Sequence, residues 1–385
     1  MADNPDNLIY TLGVTAGIKR DGTQFESREF TDGTWCRFQR GVPKKMGGYR
    51  QMFRTAGGIP RGMITNPYNG VNYIYLGNQN GIEIFSTSTN LGFGAGPFPA
   101  DIVDANYSAD TRNLWQFDLQ FDPTGDELKV LAHPGKNLDN IDNGTKSQVL
   151  IGNVLPTLGQ TWTFTGLADT AGTAPTNAPI EVDGGVCVLY PFIFVYGSNG
   201  FIANNNVDPL YENQSPFDWN GPLANRVNMS AGKIVKGMPT RGGTNSPSGL
   251  FWATDSLIRV SYTGQTDNYW RYDIITSQSS ILSSQSAIEY DGIYYWCGVD
   301  RFLMYNGVVQ EIPNDKNMNY FFDNLNYVQR QKVWVTKVPR WGEIWWFYPR
   351  GNSTECNDAI IYNTKDQIWY DAGRGVGAQR SCGYT

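Results

Sequence analysis

The feature that most restricts the fold of this chain is a recurring pair of short strand-like runs. Its clearest copy lies at 291–307, where the aromatic and β-branched run 293–297 is followed, after a polar break, by the run 302–305. A second turn signal, Asn306-Gly307, comes directly after it. Strand formers that alternate with turn residues in this way predict a β-hairpin. Similar pairs of runs occur at 73–85, 192–203, 251–260 and 344–362.

The spacing of these hairpins indicates a repeat architecture. From residue 249 onward they begin near 250, 292 and 343, a period of roughly 45 to 50 residues that suits four-stranded propeller blades, whereas the earlier units run to roughly 55 to 65 residues. Stacking around an axis gives every such unit two neighbours. The sequence therefore predicts an all-β fold, a β-propeller built from about six repeated antiparallel hairpins or blades. A pair of β-sandwiches or a β-helix is the competing arrangement, although β-helix rungs are much shorter than this period.

We expect one propeller domain over residues 1–385, although this length also permits two or three domains. Its expected parts are N-terminal strands and a basic hairpin in 1–50, longer loop insertions in 90–180 and the most regular blades in 249–371.

Several elements are predicted one by one. The pattern predicts strands at 8–12, 30–38 and 185–189, and a hairpin of 115–121 with 128–132. The stretches 90–99 and 169–179 are interpreted as a glycine-rich connector and a linker. Only 318–332 has helical spacing, so one short helix is expected there, between two blades.

Composition favours strand packing and excludes some classes of function. Aromatic residues make up 14% of the chain and charged residues only 17%, which suits β-structure. The 30 Lys and Arg against 36 Asp and Glu exclude DNA binding by the molecule as a whole through neutralisation of phosphates. The five widely spaced cysteines contain no C-x-x-C pair, so reduced thiols are expected. No signal peptide and no membrane-spanning run is recognisable, and we expect a soluble protein made in the cytoplasm.

Candidate catalytic motifs are weak. The single histidine, His133, is placed just past a strand and has no recognisable nucleophile, so we interpret it as a loop residue without a catalytic role. No nucleotide-binding glycine loop accompanies Lys146, Lys233 or Lys236. We therefore expect no catalytic residue, no cofactor and no enzymatic activity.

Two further motifs resemble known sites only in part. The stretch 31–35 resembles the Asp-box turn of sialidase propellers, but it is one residue short and occurs once, and an Asp-Gly turn is the simpler interpretation. The stretch 139–144 resembles a calcium loop, but Leu150 occupies the twelfth position, where an EF-hand needs a bidentate Glu. We expect a surface turn there and no metal site.

The densest positive region is a basic run of five residues, which we treat as interface candidates. Its members are Arg37, Arg40, Lys44, Lys45 and Arg50. Strand alternation puts Trp35 and Arg37 on one face, which permits a cation over an aromatic ring. A solvated hairpin is one interpretation of the run, and an interface with an acidic neighbouring subunit is the other.

Two stretches resemble a known family. The pattern F-x-D-G-x-W-x-R-F-x-x-G-x-P-x-K-M-G-G-Y at 30–49 is similar to the opening of tail hub or nozzle proteins of short-tailed bacteriophages, including packaged-DNA stabilisation proteins. The pattern W-G-E-I-W-W-F-Y-P at 341–349, followed by A-I-I-Y-N at 359–363 and by Trp369, resembles a late blade of the same proteins. Together the two stretches span most of the chain.

This resemblance implies a structural protein of the virion tail. Its expected partners are further copies of itself in a ring, six in such a family, the portal-adaptor protein, and other tail proteins such as a fibre, spike or needle. DNA would pass through an acidic lumen without sequence-specific binding. The family's proteins are expected to continue beyond the last predicted strand, so either the N-terminal strand closes the ring of blades or a neighbouring subunit supplies the rest.

Two other classes of function remain open. Tryptophan and tyrosine at blade tips stack on sugars, so a carbohydrate-binding or carbohydrate-cleaving propeller is the alternative, and cleavage would need two facing carboxylates. Most of the aromatic residues alternate within strands, however, which favours a role in core packing. A protein-binding propeller of the cellular type lacks its usual Gly-His and Trp-Asp signatures here.

Overall fold

The protein is described by a computed structural model. The residues it describes are 13–23, 25, 27–48, 50–51, 55–68, 71–78, 81–86, 92–94, 114–135, 149–153, 165–166, 182–208, 214–241, 246–265, 268–372 and 380–383. Within these residues the chain forms six four-stranded antiparallel sheets arranged in a ring, which is a six-bladed β-propeller. The predicted fold class is therefore confirmed.

Four short strands precede the blades. β1 (Thr15–Ile18) and β2 (Glu29–Phe30) form a parallel pair, and β3 (Cys36–Gln39) and β4 (Val42–Lys45) form an antiparallel hairpin. We call residues 13–48 the N-terminal segment.

The first three blades follow in chain order. Blade I contains β5 (Gly62–Tyr68), β6 (Val71–Asn78), β7 (Gly81–Ser86) and β8 (Gly92–Gly94). Blade II contains β9 (Gln116–Asp122), β10 (Glu127–His133), β11 (Leu150–Asn153) and β12 (Thr165–Gly166). Blade III contains β13 (Gly185–Leu189), β14 (Phe192–Tyr196), β15 (Phe201–Asn204) and β16 (Asn225–Asn228), with a 3₁₀ turn at Ser198–Gly200.

The last three blades are also continuous in sequence. Blade IV contains β17 (Ile234–Pro239), β18 (Ser248–Ala253), β19 (Leu257–Gln265) and β20 (Asn268–Thr276). Blade V contains β21 (Ala287–Tyr290), β22 (Ile293–Cys297), β23 (Phe302–Tyr305) and β24 (Val309–Glu311). Blade VI contains β25 (Trp334–Val338), β26 (Glu343–Tyr348), β27 (Asp358–Asn363) and β28 (Ile368–Asp371). The first strand of each blade is the innermost, since β5, β9, β13 and β17 contact one another in that order.

The hairpins visible in the sequence are the second and third strands of blades I, III, IV, V and VI. In blade V, Cys297 pairs with Phe302, and Gly298 N donates to Arg301 O at 2.8 Å, which closes the predicted turn. Asp291 and Gly292 join the first two strands with φ angles of 55° and 81°. Two successive positive φ angles are the requirement of a type I′ turn, which Asp-Gly satisfies.

The contacts between neighbouring blades, which we call seams, are apolar. Five clusters of buried residues fill the five seams between sequence-adjacent blades among the described residues. Trp252 and Trp296, for example, lie with their ring centroids 5.8 Å apart in the seam between blades IV and V. The expected packing role of the aromatic residues is confirmed.

The sixth apolar cluster has a different composition. It joins blade VI to the N-terminal segment, because Ile18, Phe38 and Met46 pack against residues such as Trp345 and Ile361. β1 also lies against β28. The N-terminal segment therefore covers the face of blade VI that does not contact blade V, but it adds no strand to any of the four-stranded sheets.

The predicted helix is confirmed, although it is divided into two turns of different type. An α-helix, α1 (Met318–Asn324), is followed by a 3₁₀ helix at Tyr327–Lys332. Both lie between blades V and VI, and Phe321 is fully buried in that seam.

Two local predictions are wrong. The connector at 90–99 contains a strand, β8, because the backbone groups of Gly92, Phe93 and Gly94 pair with β7 regardless of their low strand propensity. The strand expected at 30–38 is two strands, because Trp35 has a φ of 50° and the backbone bends between Phe30 and Cys36. The predicted elements at 8–12, 139–144 and 169–179 lie outside the described residues.

Candidate functional site

The centre of the propeller is closed at the end where the innermost strands begin. Gln285, just before β21 of blade V, donates from Nε2 to Trp115 O, just before β9 of blade II, at 2.8 Å. Gln116 Nε2 donates to Val235 O of blade IV at 3.1 Å and to Gly184 O next to blade III. These bonds tie together blades that are not neighbours in the ring, so side chains cross the axis at this level.

A cleft of about 270 Å³ lies at this closed end. We call it the axial cleft. Its wall comes from five blades, II to VI, and six of its thirteen lining residues come just before an innermost strand: Leu114, Gly184, Lys233, Ser284, Arg330 and Gln331. Since the chain enters each blade at this face, the fold brings residues more than 200 positions apart to one site.

The axial cleft combines an apolar wall with cationic groups. Val235, Ile281 and Leu282 supply the apolar part, and Lys233 and Arg330 are the two charged residues among those that line it. Lys233 Nζ lies 3.4 Å from Asp183 Oδ2, and 34% of its side chain is exposed. Arg330 donates from Nη1 to Tyr327 O at 3.3 Å and is exposed. The described lining of the cleft therefore contains two cations and no carboxylate, although one cation is paired with Asp183 from outside it.

The wall of the cleft is fixed by buried hydrogen bonds. Ser283 Oγ donates to Val333 O, joining blades V and VI. Lys332, on the same 3₁₀ helix as Arg330, is 3% exposed and bonds Thr354 O and Glu355 Oε1 at 2.6 and 2.9 Å. A buried lysine that makes two such bonds holds the helix rigidly.

His133 is linked to the cleft through Gly135, which lines it. It is fully buried at the end of β10, so its predicted position in a loop is wrong, since it pairs in register with Gln116. Gly135 N donates to Nδ1 at 3.0 Å, so the proton is on Nε2, which donates to Val182 O at 2.9 Å. Burial lowers the pKa of His133 to about 4, and the ring is neutral at physiological pH.

Below the closed end, two ionisable side chains project from the innermost strands. Asp118 accepts from Val188 N at 2.7 Å and from Leu119 N at 2.9 Å. Burial raises the pKa of Asp118 to about 6, and burial lowers the pKa of Lys236. Asp118 lies on β9 and Lys236 on β17, and the opposite charge of each shifts the pKa of the other toward its ionised form, against the larger effect of burial.

A second group of buried charges joins the N-terminal segment to blade VI. Arg20 donates from Nε and Nη2 to the Asp371 carboxylate at 2.6 and 3.0 Å, and from Nη1 to Asp32 Oδ1 at 2.7 Å. Arg20 and Asp371 are only 4% and 2% exposed. Burial and the neighbouring Asp371 raise the pKa of Asp358 to about 7. Asp358 and Asp371 are both buried, whereas glycoside cleavage needs two carboxylates that reach the sugar from opposite sides.

The basic run divides into one partly buried residue and four exposed ones. Arg37 donates from Nη2 to Oε2 of the fully buried Glu343 at 3.2 Å, its Nε lies 3.0 Å from Glu343 Oε1, and its guanidinium lies 4.6 Å from the centre of the Trp341 ring. The alternation assumed for Trp35 and Arg37 does not apply, since β3 begins only at Cys36. The other members, Arg40, Lys44, Lys45 and Arg50, are exposed.

The sequence indicates the basic run but not the other residues of the candidate site. Lys233 and Lys236 belong to no nucleotide-binding motif, and no local motif marks Arg20, Arg330, Gln116 or Gln285. The usable signal is positional, since the residues just before the first strand of each blade share one face of a propeller. Lys146 lies outside the described residues.

Metal ligands and membrane spans have no counterpart in the described residues. No group of three or more His, Cys, Asp or Glu side chains is placed there to hold a metal ion. No described helix has the length and apolar character needed to cross a bilayer. The five cysteines are unpaired thiols, and burial raises the pKa of Cys382 to about 12.

Comparison with protein-family models and with curated proteins finds no match for this chain.

Proposed function

We propose that this protein is a structural subunit of the tail of a short-tailed bacteriophage. Copies of the chain, about six in number, would form a ring below the portal-adaptor protein, next to the other tail proteins. That ring, a nozzle or hub, retains the packaged DNA and conducts it during ejection. The protein would be made in the host cytoplasm and located in the virion, and its role would be mechanical and not enzymatic.

The contact between the two stretches that carry the family resemblance is the observation that supports this proposal best. Arg37 in the stretch 30–49 bonds Glu343 in the stretch 341–349 and covers the ring of Trp341. Phe38 and Met46 of the first stretch share an apolar cluster with Trp345 and Phe347 of the second. The two patterns, about 300 residues apart, therefore describe one structural unit, which is what a shared assembly module requires.

The closed axis is consistent with a ring in which the DNA passes between subunits. Gln285 and Gln116 cross the centre of the propeller with hydrogen bonds of 2.8 and 3.1 Å. Side chains that bond across the centre leave no path there for a DNA duplex. In this proposal each propeller is one solid segment of the wall of the lumen.

The charge distribution favours contacts between copies. Residues 33–82 contain seven Lys and Arg and no Asp or Glu, which leaves 23 basic against 36 acidic residues in the rest of the chain. The exposed strand β4, with Lys44 and Lys45, is the most prominent part of this basic region. A basic surface on one copy and an acidic surface on the next suit the head-to-tail contact of a closed ring.

Assembly of the purified chain tests this proposal. Negative-stain electron microscopy and mass photometry at micromolar concentration are expected to show closed rings of identical subunits. The variant Lys44→Glu/Lys45→Glu is expected to shift the population toward monomers, because it places acidic groups against an acidic neighbour. The matched control is Arg259→Glu/Arg271→Glu, which makes the same charge change at exposed positions on blade IV.

Thermal unfolding of both double variants should match that of the parent chain, because all four positions are exposed. A parent chain that stays monomeric at every salt concentration, and that also fails to enter tail particles when supplied with portal and adaptor proteins, would contradict the proposal. Equal loss of rings in both double variants would show that the contact between copies does not depend on β4 in particular.

A further inference from the structure

We infer that the axial cleft is a binding site for a small organic anion, a carboxylate or a phosphate monoester attached to an apolar body. This inference does not depend on the tail proposal, although both use the closed axis of the propeller. The volume of the cleft, about 270 Å³, lies just below the roughly 300–1,000 Å³ typical of small-molecule sites.

The cleft is closed at its inner end, so a ligand can enter it but cannot pass through the propeller. The bond between Gln285 Nε2 and Trp115 O and the bonds of Gln116 close the axis beside Leu114 and Ser284. The surrounding wall is fixed by the Ser283–Val333 bond and by both ring nitrogens of His133. A preformed wall lowers the entropy that a ligand loses on binding.

The charge of the cleft selects the class of ligand. Lys233 and Arg330 come from two different parts of the wall, blade IV and the 3₁₀ helix before blade VI. The described lining contains no carboxylate to neutralise them, although Asp183 pairs with Lys233 from outside the lining at 3.4 Å. Arginine and lysine bind carboxylate and phosphate oxygens by charge-assisted hydrogen bonds. Ser284 and Thr254 add hydroxyl donors at the same level.

The apolar part of the wall sets the second requirement. Leu114, Val235, Ile281 and Leu282 line the cleft together with the two cations. Inorganic phosphate would leave this surface in contact with water, whereas an aromatic or aliphatic acid covers it. A ligand with one anionic group and a compact apolar body therefore fits better than either a simple ion or a neutral apolar molecule.

Direct titration tests this inference. Benzoate and phenyl phosphate are added to the full chain, and binding is followed by calorimetry and by ligand-observed NMR, with benzamide as the neutral probe of the same shape. We expect saturable binding of at least one of the two anions, at least tenfold tighter than that of benzamide. Lys233→Gln and Arg330→Gln are each expected to weaken it about tenfold, and the pair to abolish it, whereas the exposed control Arg271→Gln leaves it unchanged.

A variant that fills the cleft tests whether the anions bind inside it. Ser284→Trp keeps both cations and fills the cleft, so it is expected to block both anions while the thermal unfolding temperature stays within a few degrees of the parent. Saturable binding of phenyl phosphate but not of benzoate assigns the site to phosphate monoesters, and the reverse assigns it to carboxylates. The inference is overturned if neither anion binds saturably, if benzamide binds as tightly as the anions, or if Ser284→Trp binds them like the parent chain.

Discussion

The five seams between sequence-adjacent blades and the closing region of the ring are built differently. The seams are apolar, as in the contact of Trp252 with Trp296, whose centroids are 5.8 Å apart. The closing region, where the N-terminal segment and blade I meet blade VI, uses charges instead. Arg20 and Arg37 of the N-terminal segment form ion pairs with Asp371 and Glu343 of blade VI. Between blades VI and I, Arg61 bonds both oxygens of Glu355 at 2.8 Å.

Apolar seams and buried ion pairs contribute differently to stability and to the choice of one docking arrangement. Apolar surface is buried favourably in many arrangements, and volume-conserving changes are tolerated. A buried ion pair adds little stability compared with apolar packing, but it forms in only one arrangement and penalises every other. We therefore interpret the charges of the closing region as the device that selects the correct docking of the N-terminal segment on blade VI.

The largest effect is expected when one charge of the closing region is removed. Arg20→Met should lower the free energy of unfolding by about 3–5 kcal/mol, because it leaves the Asp371 carboxylate buried without its partner. Urea unfolding measures the loss. The double variant Arg20→Met/Asp371→Leu should recover most of it, and a double variant as unstable as the single one would show that the pair contributes net stability.

A truncation in an apolar seam should have a somewhat smaller effect. Leu250 is fully buried between blades IV and V, and Leu250→Ala should cost about 3 kcal/mol through lost burial and a residual cavity. The same urea experiment, repeated at high salt, distinguishes the two regions. The cost at Leu250 should be unchanged, and its dependence on salt would break the proposed comparison.

A separate effect is expected in the pH dependence of stability. Burial and the neighbouring Asp371 raise the pKa of Asp358 in the folded state to about 7, well above the usual aspartate value of about 4. Its contribution to stability is therefore fully present below about pH 4 and is lost as the pH rises to 7 and above. Asp358→Asn, which has nearly the same shape, should flatten the fall in unfolding free energy between pH 4 and 7. An unchanged slope would show that another group causes it.

The blades are predictable from sequence because their signals are local. The run 293–297, the turn after it and the Asp291-Gly292 turn each depend on a few adjacent residues. β8 is not predictable in this way, because its glycines form a strand only when β7 is beside them.

The candidate site is predictable only in part, because its residues meet through the fold. Lys233 and Arg330 are about a hundred positions apart, and Arg20 and Asp371 are 351 positions apart. No local pattern connects such residues. The basic run was visible as a cluster of like charge, but the burial of Arg37 depends on Glu343 of blade VI.

The docking of the N-terminal segment on blade VI has a consequence for biosynthesis. Arg20 leaves the ribosome 351 residues before its partner Asp371, a delay of about 20 to 70 s at roughly 5–20 residues per second. Throughout that time Ile18, Phe38 and Met46 have no partner surface on their own chain. A completed chain released nearby presents an identical blade VI. Docking of this segment on that chain therefore competes with docking on blade VI of its own chain.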